Sequence, residues 1–146
     1  MPPASFRHET NTDAPLSHVW QRLQDPVVWA TVAGVDGTGD HVFSGQNLTG
    51  FRFKANVAGV PYRGTARVTQ SVPVEAMTLS IRSSELEGMI GVALSAADPG
   101  TRLEVSMTMR PAGLLGPMMF PAITRAVQEG FADSVEHLAV KLADRR

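Results

Sequence analysis

Between Val35 and Met109 the apolar positions recur with a period of two, the spacing of strands that bury one face. Phe51, Phe53, Ala55 and Val57 alternate with Arg52, Lys54 and Asn56. After the turn residues AGVP, Tyr62, Gly64, Ala66 and Val68 alternate with Arg63, Thr65, Arg67 and Thr69. Met77, Leu79 and Ile81 then alternate with Thr78, Ser80 and Arg82. The run GMIGVALSA is apolar on both faces, and Ile90, Val92 and Leu94 form its expected inward set. Beyond the turn ADPG, Leu103, Val105, Met107 and Met109 alternate with Arg102, Glu104, Ser106 and Thr108. A further strand, around DHVFSG, precedes this series across the turn residues Gly45 to Asn47. Successive strands with short turns predict an antiparallel meander with one apolar face.

The ends of the chain follow other periods. SFRHETNT predicts a first strand, with Phe6, His8 and Thr10 on one face and Arg7 and Glu9 on the other. TDAPLSHVWQRLQ predicts a helix capped by Asp13, with Pro15 in its first turn and Leu16, Val19, Trp20 and Leu23 at helical spacing. DPVVWATV predicts a second, with Asp25 as cap, Pro26 at the first position, and Trp29 and Val32 inward. Near the C-terminus Phe120, Ile123, Val127, Phe131, Ser134, Leu138 and Leu142 recur at steps of three and four. Arg125, Glu129, Asp133, Glu136 and Lys141 fall largely on the other side. This is an amphipathic helix of about 25 residues, or ~37 Å at 1.5 Å per residue, long enough to cover the sheet.

RPAGLLGPMMFPAI, Arg110 to Ile123, joins the last strand to that helix. Gly113 and Gly116 let the chain turn over the sheet, and Pro117 and Pro121 suit a helix start and its first turn. Leu114, Leu115, Met118 and Met119 fit either a cap on the core or a tip that touches a membrane.

Bulk properties narrow the classes. The 146 residues are expected to form one domain, able to bury roughly 70% of the unfolded surface. Apolar residues make up 43% and charged residues 18%, an ordinary globular balance. The net charge of −1 offers no footprint for nucleic acid. With no cysteine, disulfides, thiolate catalysis and cysteine-zinc sites are excluded. The start MPPASFRHETNT shows no basic-then-apolar leader, and no stretch approaches about 18 uncharged apolar residues, so a cytoplasmic protein is expected.

Strand, two short helices, a run of antiparallel strands and one long C-terminal helix: this order resembles the START/polyketide cyclase (SRPBCC) superfamily. The resemblance is carried by APLSHVWQRLQDPVVW, by PGTRLEVSM at the last strand, and by the glycine-rich lead into a helix ending FADSVEHLAVKL. It implies an α+β helix-grip fold, a curved antiparallel sheet of about seven strands wrapped around the C-terminal helix. VAGVPYRGTARVTQ and GLLG also look like the branch named for the G-type subunit of carbon monoxide dehydrogenase, which is associated with enzyme maturation or with hydrophobic carriers at membranes.

The fold implies a cavity between sheet and helix. Its expected lining is Trp29 from the second helix, Phe51, Phe53, Tyr62, Met77, Leu79, Ile81, Leu103, Val105, Met107 and Met109 from the strands, and Ile123, Val127 and Phe131 from the long helix. Several flexible methionines suit a hydrophobic ligand of variable shape. The same residues could pack together as a closed core. Gly64 either lets the sheet bend or leaves room for a ligand.

Inward polar groups are scarce. The 4 histidines lack ligand spacing, so no metal is expected. His8 and Tyr62 have inward parity and are the candidate groups for orienting a ligand; a hydrogen-bonded structural role competes for His8, and solvent contact for Tyr62. Glu85 and Glu87 bracket a hairpin turn, where solvated charges are favoured over acid–base work. Arg52, Lys54, Arg63 and Arg67 share the outer face of two strands, either as a solvated face or as a patch for an acidic partner or anionic lipid.

The leading expectation is therefore binding of a hydrophobic small molecule or lipid, without catalysis and without a cofactor. A cyclase or dehydratase is the alternative, and an accessory or maturation role at a membrane or a partner oxidoreductase is the third. Gly113, Gly116, Met118 and Met119 are the expected gate. No oligomeric state follows from the sequence.

Overall fold

A computed structural model describes residues 3–30, 35–57 and 59–144. Its elements are β1 (Ala4–Thr12), α1 (Leu16–Leu23), α2 (Pro26–Trp29), β2 (Val35–Ser44), β3 (Asn47–Val57), β4 (Val60–Val72), β5 (Ala76–Ser83), β6 (Leu86–Ala96), β7 (Thr101–Pro111) and α3 (Gly116–Ala143). The seven strands form one antiparallel sheet in the order β1-β7-β6-β5-β4-β3-β2. This is the helix-grip arrangement: the meander runs from β2 to β7, and β1 joins its far side beside β7. Val32 and Ala58 lie outside the described residues.

The alternation of the strands translates into the sheet's two faces. Phe51, Ala55, Tyr62, Ala66, Met77, Leu79, Val92, Leu94, Leu103, Val105 and Met109 are buried, while Arg52, Lys54, Arg63, Arg67 and Arg82 are exposed. Lys54 stands directly opposite Arg63, a like-charge pair that destabilises a sheet in isolation. Arg52 reaches Asp40 at 3.4 Å. Across β3 and β4, Gly64 lies opposite Phe53. A Cβ there would come within 2.6 Å of the Phe53 ring and would also strike the Arg82 carbonyl. The glycine thus makes the bed for an aromatic ring, and the space it leaves is filled from within the sheet.

Two details of the helices differ from the sequence reading. Asp13 does not cap α1; Pro15 stands at the N-cap, without a side-chain cap, and its carbonyl accepts Val19 N–H at 3.1 Å. A proline disfavours helical geometry in the residue before it, so Ala14 cannot be the first helical residue. Asp25 does cap α2, accepting Val27 N–H at 2.9 Å, with Pro26 at the first position. Pro121, expected in the first turn, lies inside α3 because the helix begins at Gly116. Its missing N–H leaves the Pro117 carbonyl without its usual helical partner.

Buried polar groups tie the layers together. The Gln24 amide donates to the Trp20 carbonyl at 3.3 Å and accepts Leu48 N–H at 3.0 Å, joining the end of α1 to β3. Thr101, fully buried, donates to the Ala14 carbonyl at 2.8 Å. On β1, the Thr10 hydroxyl donates to the Glu136 carboxylate of α3, with His8 Nε2 at 3.8 Å from the same carboxylate.

Candidate functional site

The apolar face is covered unevenly along its length. At the end where β3, β5 and β7 begin, α1, α2 and the last turns of α3 close tightly on it. There Leu23, Met77, Leu79, Leu103 and Leu142 form a dry core. Toward the other end the middle of α3 stands off from the sheet and leaves a cavity of about 370 Å³. That is near the small end of the usual range for ligand pockets, roughly 300–1,000 Å³.

The sheet contributes Phe53, Ala55, Val57, Tyr62, Ile81, Ser83, Leu86, Ile90, Val105 and Met107 to the cavity wall, with Val35 and Asn56 at its margin. Trp29 enters from α2, and Ile123, Ala126, Val127, Gly130, Phe131, Ser134, Val135 and Leu138 come from α3. Of the side chains expected here, Trp29, Phe53, Tyr62, Ile81, Val105, Met107, Ile123, Val127 and Phe131 do line it. Phe51, Met77, Leu79 and Leu103 do not; they belong to the dry core. Met109 packs with Tyr62, Phe120 and Ile123 in a second cluster. The reason is one of position along the strand: a period of two tells which face a residue takes, not whether a helix closes on it there.

The wall itself is held by partners outside it. Trp29 Nε1 donates to the Leu23 carbonyl at 2.9 Å, which fixes the indole plane. Phe6 of β1 backs Phe131, ring centre to ring centre at 5.7 Å.

One stretch of wall was only partly legible in the sequence. Ala126, Gly130 and Ser134 follow one another at four-residue steps on the cavity side of α3. A Cβ at Gly130 would meet nothing within 4 Å. Glycine inside a helix costs about 1 kcal/mol relative to alanine, so this is a place where the chain gives up stability and leaves volume. Ser134 was already in the helical stripe read from the sequence; Ala126 and Gly130, one residue to the side of Val127 and Phe131, were not, and their small size at four-residue spacing was the available signal.

Charged side chains are missing from the described lining, and Tyr62 is its one titratable group. Tyr62 is 9% exposed, and among the described residues its hydroxyl has no hydrogen-bond partner. Burial, and secondly the negative charge of Glu85, push its pKa above the ordinary 10.0. The phenol is thus a neutral donor at all moderate pH values. A protonated folded state at higher pH means that stability is unaffected below about 10 and declines as pH rises from there through the folded value. The chain has 1 tyrosine, so an ultraviolet titration reads this group alone. The expected result is an upshifted midpoint that returns to the ordinary value in denaturant; an ordinary midpoint in the folded protein would contradict the buried placement.

The other candidate groups fall elsewhere. His8 lies beside Glu136 at the β1–α3 junction and does not line the cavity. Glu85 sits in the β5–β6 turn, and Glu87 accepts two bonds from Arg110 at 3.0 and 2.7 Å, which lowers its pKa. Neither carboxylate enters the cavity. Among the described residues no three metal-ligating side chains converge. Gly113, Gly116, Met118 and Met119 do not line the cavity either. Gly113 has φ of +69° and lies against the Ser84 carbonyl, and a Cβ on Gly116 would be 2.8 Å from the Glu85 carbonyl. They fix the start of α3 to the β5–β6 turn. Met119, like Val57 and Val60, packs against the cluster of Tyr62, Met109, Phe120 and Ile123, while Met118 is exposed.

The comparisons with known proteins agree with this architecture. The structure resembles Zhui aromatase/cyclase from a Streptomyces species with a TM-score of 0.79 at 14% identity, covering 97% of this chain and 94% of that one. A protein of Thermus thermophilus matches with 0.76 at 14%, covering 95% and 97%. A START superfamily protein from Mycobacterium smegmatis matches with 0.67 at 14%, covering 97% and 94%. No curated protein matches significantly. The narrower likeness to the carbon monoxide dehydrogenase branch rests only on the residues quoted for it. Residues 3–143 match the family described as polyketide cyclase / dehydrase and lipid transport, and the chain belongs to that family.

Proposed function

We propose that this protein binds an uncharged, predominantly hydrophobic small molecule in the cavity between the sheet and α3. The observation that carries the reading is a preformed apolar space of about 370 Å³ into which Gly130 opens, with one neutral phenol at its wall. Removal of apolar ligand surface from water, at roughly 25 cal/mol per Å², supplies the affinity. The Tyr62 hydroxyl orients a carbonyl or hydroxyl of the ligand. A charged head group deep in this cavity would find no counter-ion among the described lining residues, and burying it would be costly.

Native mass spectrometry after exposure to a lipid and aromatic extract tests the reading, together with titration of a fluorescent apolar probe. A retained neutral molecule, and probe affinity reduced roughly 5–10-fold in Tyr62→Phe through loss of one hydrogen bond, are the expected results. No retained molecule and no probe binding would overturn it.

A second reading, a cyclase or dehydratase, draws on the likeness to Zhui aromatase/cyclase and on Tyr62, a lining residue whose hydroxyl has no partner among the described residues. Acid–base catalysis by a pair of groups needs a second titratable side chain, and the described lining contains only Tyr62. Binding is therefore the reading favoured here.

A further inference from the structure

The β3–β4 turn, the β5–β6 turn, the end of β7 and the start of α3 all lie at one end of the sheet, the end nearer the cavity. At that end Leu114 is 99% exposed, Met118 79% and Leu115 55%. No residue from Pro111 to Thr124 is ionisable, and arginines bracket the segment at Arg110 and Arg125. Glycines anchor it from beneath: Gly113 and Gly116 press against the β5–β6 turn.

We infer that this turn is a membrane-docking tip, which seats the protein on a lipid bilayer by inserting Leu114, Leu115 and Met118 among the acyl chains while Arg125 and the basic side chains at the end of the β3–β4 hairpin meet anionic head groups. The tip is a convex projection and not a groove. A few side chains on it bury far less than the roughly 1,200 Å² that a stable protein interface needs, whereas a fluid bilayer requires no shaped counterpart. Arginine suits the boundary because its stem lies along apolar surface while the guanidinium stays at the head groups. Arg110 is paired with Glu87 at 2.7 Å, so that pair adds no net charge, and Glu85 in the β5–β6 turn is one carboxylate set against Arg125, Lys54 and Arg63 at this end. Lys54 and Arg63, unmatched by carboxylates among the described residues, add positive charge toward the same end.

The tip lies above the cavity. Ile123 and Val127 are five and nine residues beyond Met118, or ~7–14 Å along the helix. Between them stands the cluster of Met119, Phe120, Val57 and Val60. Docking stands on this surface alone; that it serves exchange of a cavity ligand with the bilayer rests on the proposed binding function.

Flotation with phosphatidylcholine vesicles, with and without phosphatidylglycerol, tests the inference. The expected result is partition onto vesicles, stronger with phosphatidylglycerol, and at least tenfold weaker in the Leu114→Ser, Met118→Ser double variant. Both side chains are exposed, so the variant should keep its melting temperature and its affinity for an apolar probe in the cavity. Arg125→Gln should reduce the preference for phosphatidylglycerol. No flotation on either vesicle, or flotation unchanged in the double variant, overturns docking; equal partition onto both vesicle types overturns the head-group role. A dimer in vesicle-free solution that the double variant abolishes would assign the tip to a second copy instead. Loss of probe binding with flotation intact would sink the cavity reading and leave the docking surface standing.

Discussion

Gly130→Phe is expected to abolish binding of hydrophobic probes while leaving the fold as stable as before or more so. The two effects follow from the same position. Gly130 lies in the middle of α3, faces the cavity, and has nothing within 4 Å of where a Cβ would be. A ring placed there enters the space that a ligand would use. It also replaces a glycine in a helix interior, where glycine costs about 1 kcal/mol relative to alanine. Gly130→Ala isolates that second effect: stability should rise by about 1 kcal/mol and the melting temperature by about 3 °C. Probe titration and thermal unfolding of both variants separate the two. If probe affinity in Gly130→Phe stays within about threefold of the parent, the cavity is not where the ligand sits. If the variant is instead destabilised by several kcal/mol, the space is not open in solution.

Trp29→Ala is expected to cause the largest loss of stability, about 3–5 kcal/mol. The indole is 4% exposed, lies at the boundary between the dry core and the cavity, and donates to the Leu23 carbonyl. Removing it enlarges an existing void, so neighbours on α3 and the sheet have little to collapse onto, and it leaves the carbonyl at the end of α1 without that donor. Against a typical total of 5–15 kcal/mol, such a loss brings the protein close to unfolding. Trp29→Phe separates the causes. It retains most of the apolar contact and loses only the donor, so a cost of about 1–3 kcal/mol is expected in denaturant titration. Equal costs for both variants would show that the hydrogen bond, and not the packing, holds α2 in place.

Much of this architecture was legible because its physics is periodic. Alternation in β3, β4, β5 and β7 identified the buried face residue by residue, since successive side chains on a strand must point opposite ways. Three- and four-residue steps identified α3. The dipeptide Asp25-Pro26 announced α2 because both residues satisfy local requirements of a helix start. Asp13 misled for an equally local reason, which the pattern did not weigh: Pro15 keeps Ala14 out of the helix. Pro121 misled because α3 begins upstream of the first buried position of its stripe, on the exposed residues of the tip.

The cavity was less legible. Phe51 and Phe53 are two residues apart on the same face, yet one lies in the dry core and the other lines the cavity. His8 has the parity of a cavity residue but lies on β1, where α3 and Glu136 meet it. Gly64 was open in the sequence between a bend of the sheet and room for a ligand, and the Phe53 ring of the neighbouring strand takes the space beside it.

By itself, then, the sequence determined the elements, their order, the buried face of each strand and the identity of the covering helix. These are consequences of local backbone geometry and of the burial of apolar side chains, and they repeat along the chain where they can be counted. The tertiary structure decided where that face is closed and where it stays open. That depends on how far α3 stands from the curved sheet at each level, a distance set by many residues far apart in sequence. It also decided that Ala126, Gly130 and Ser134 face one space, that Tyr62 is the titratable side chain in its described wall, and that the uncharged turn before α3 projects outward.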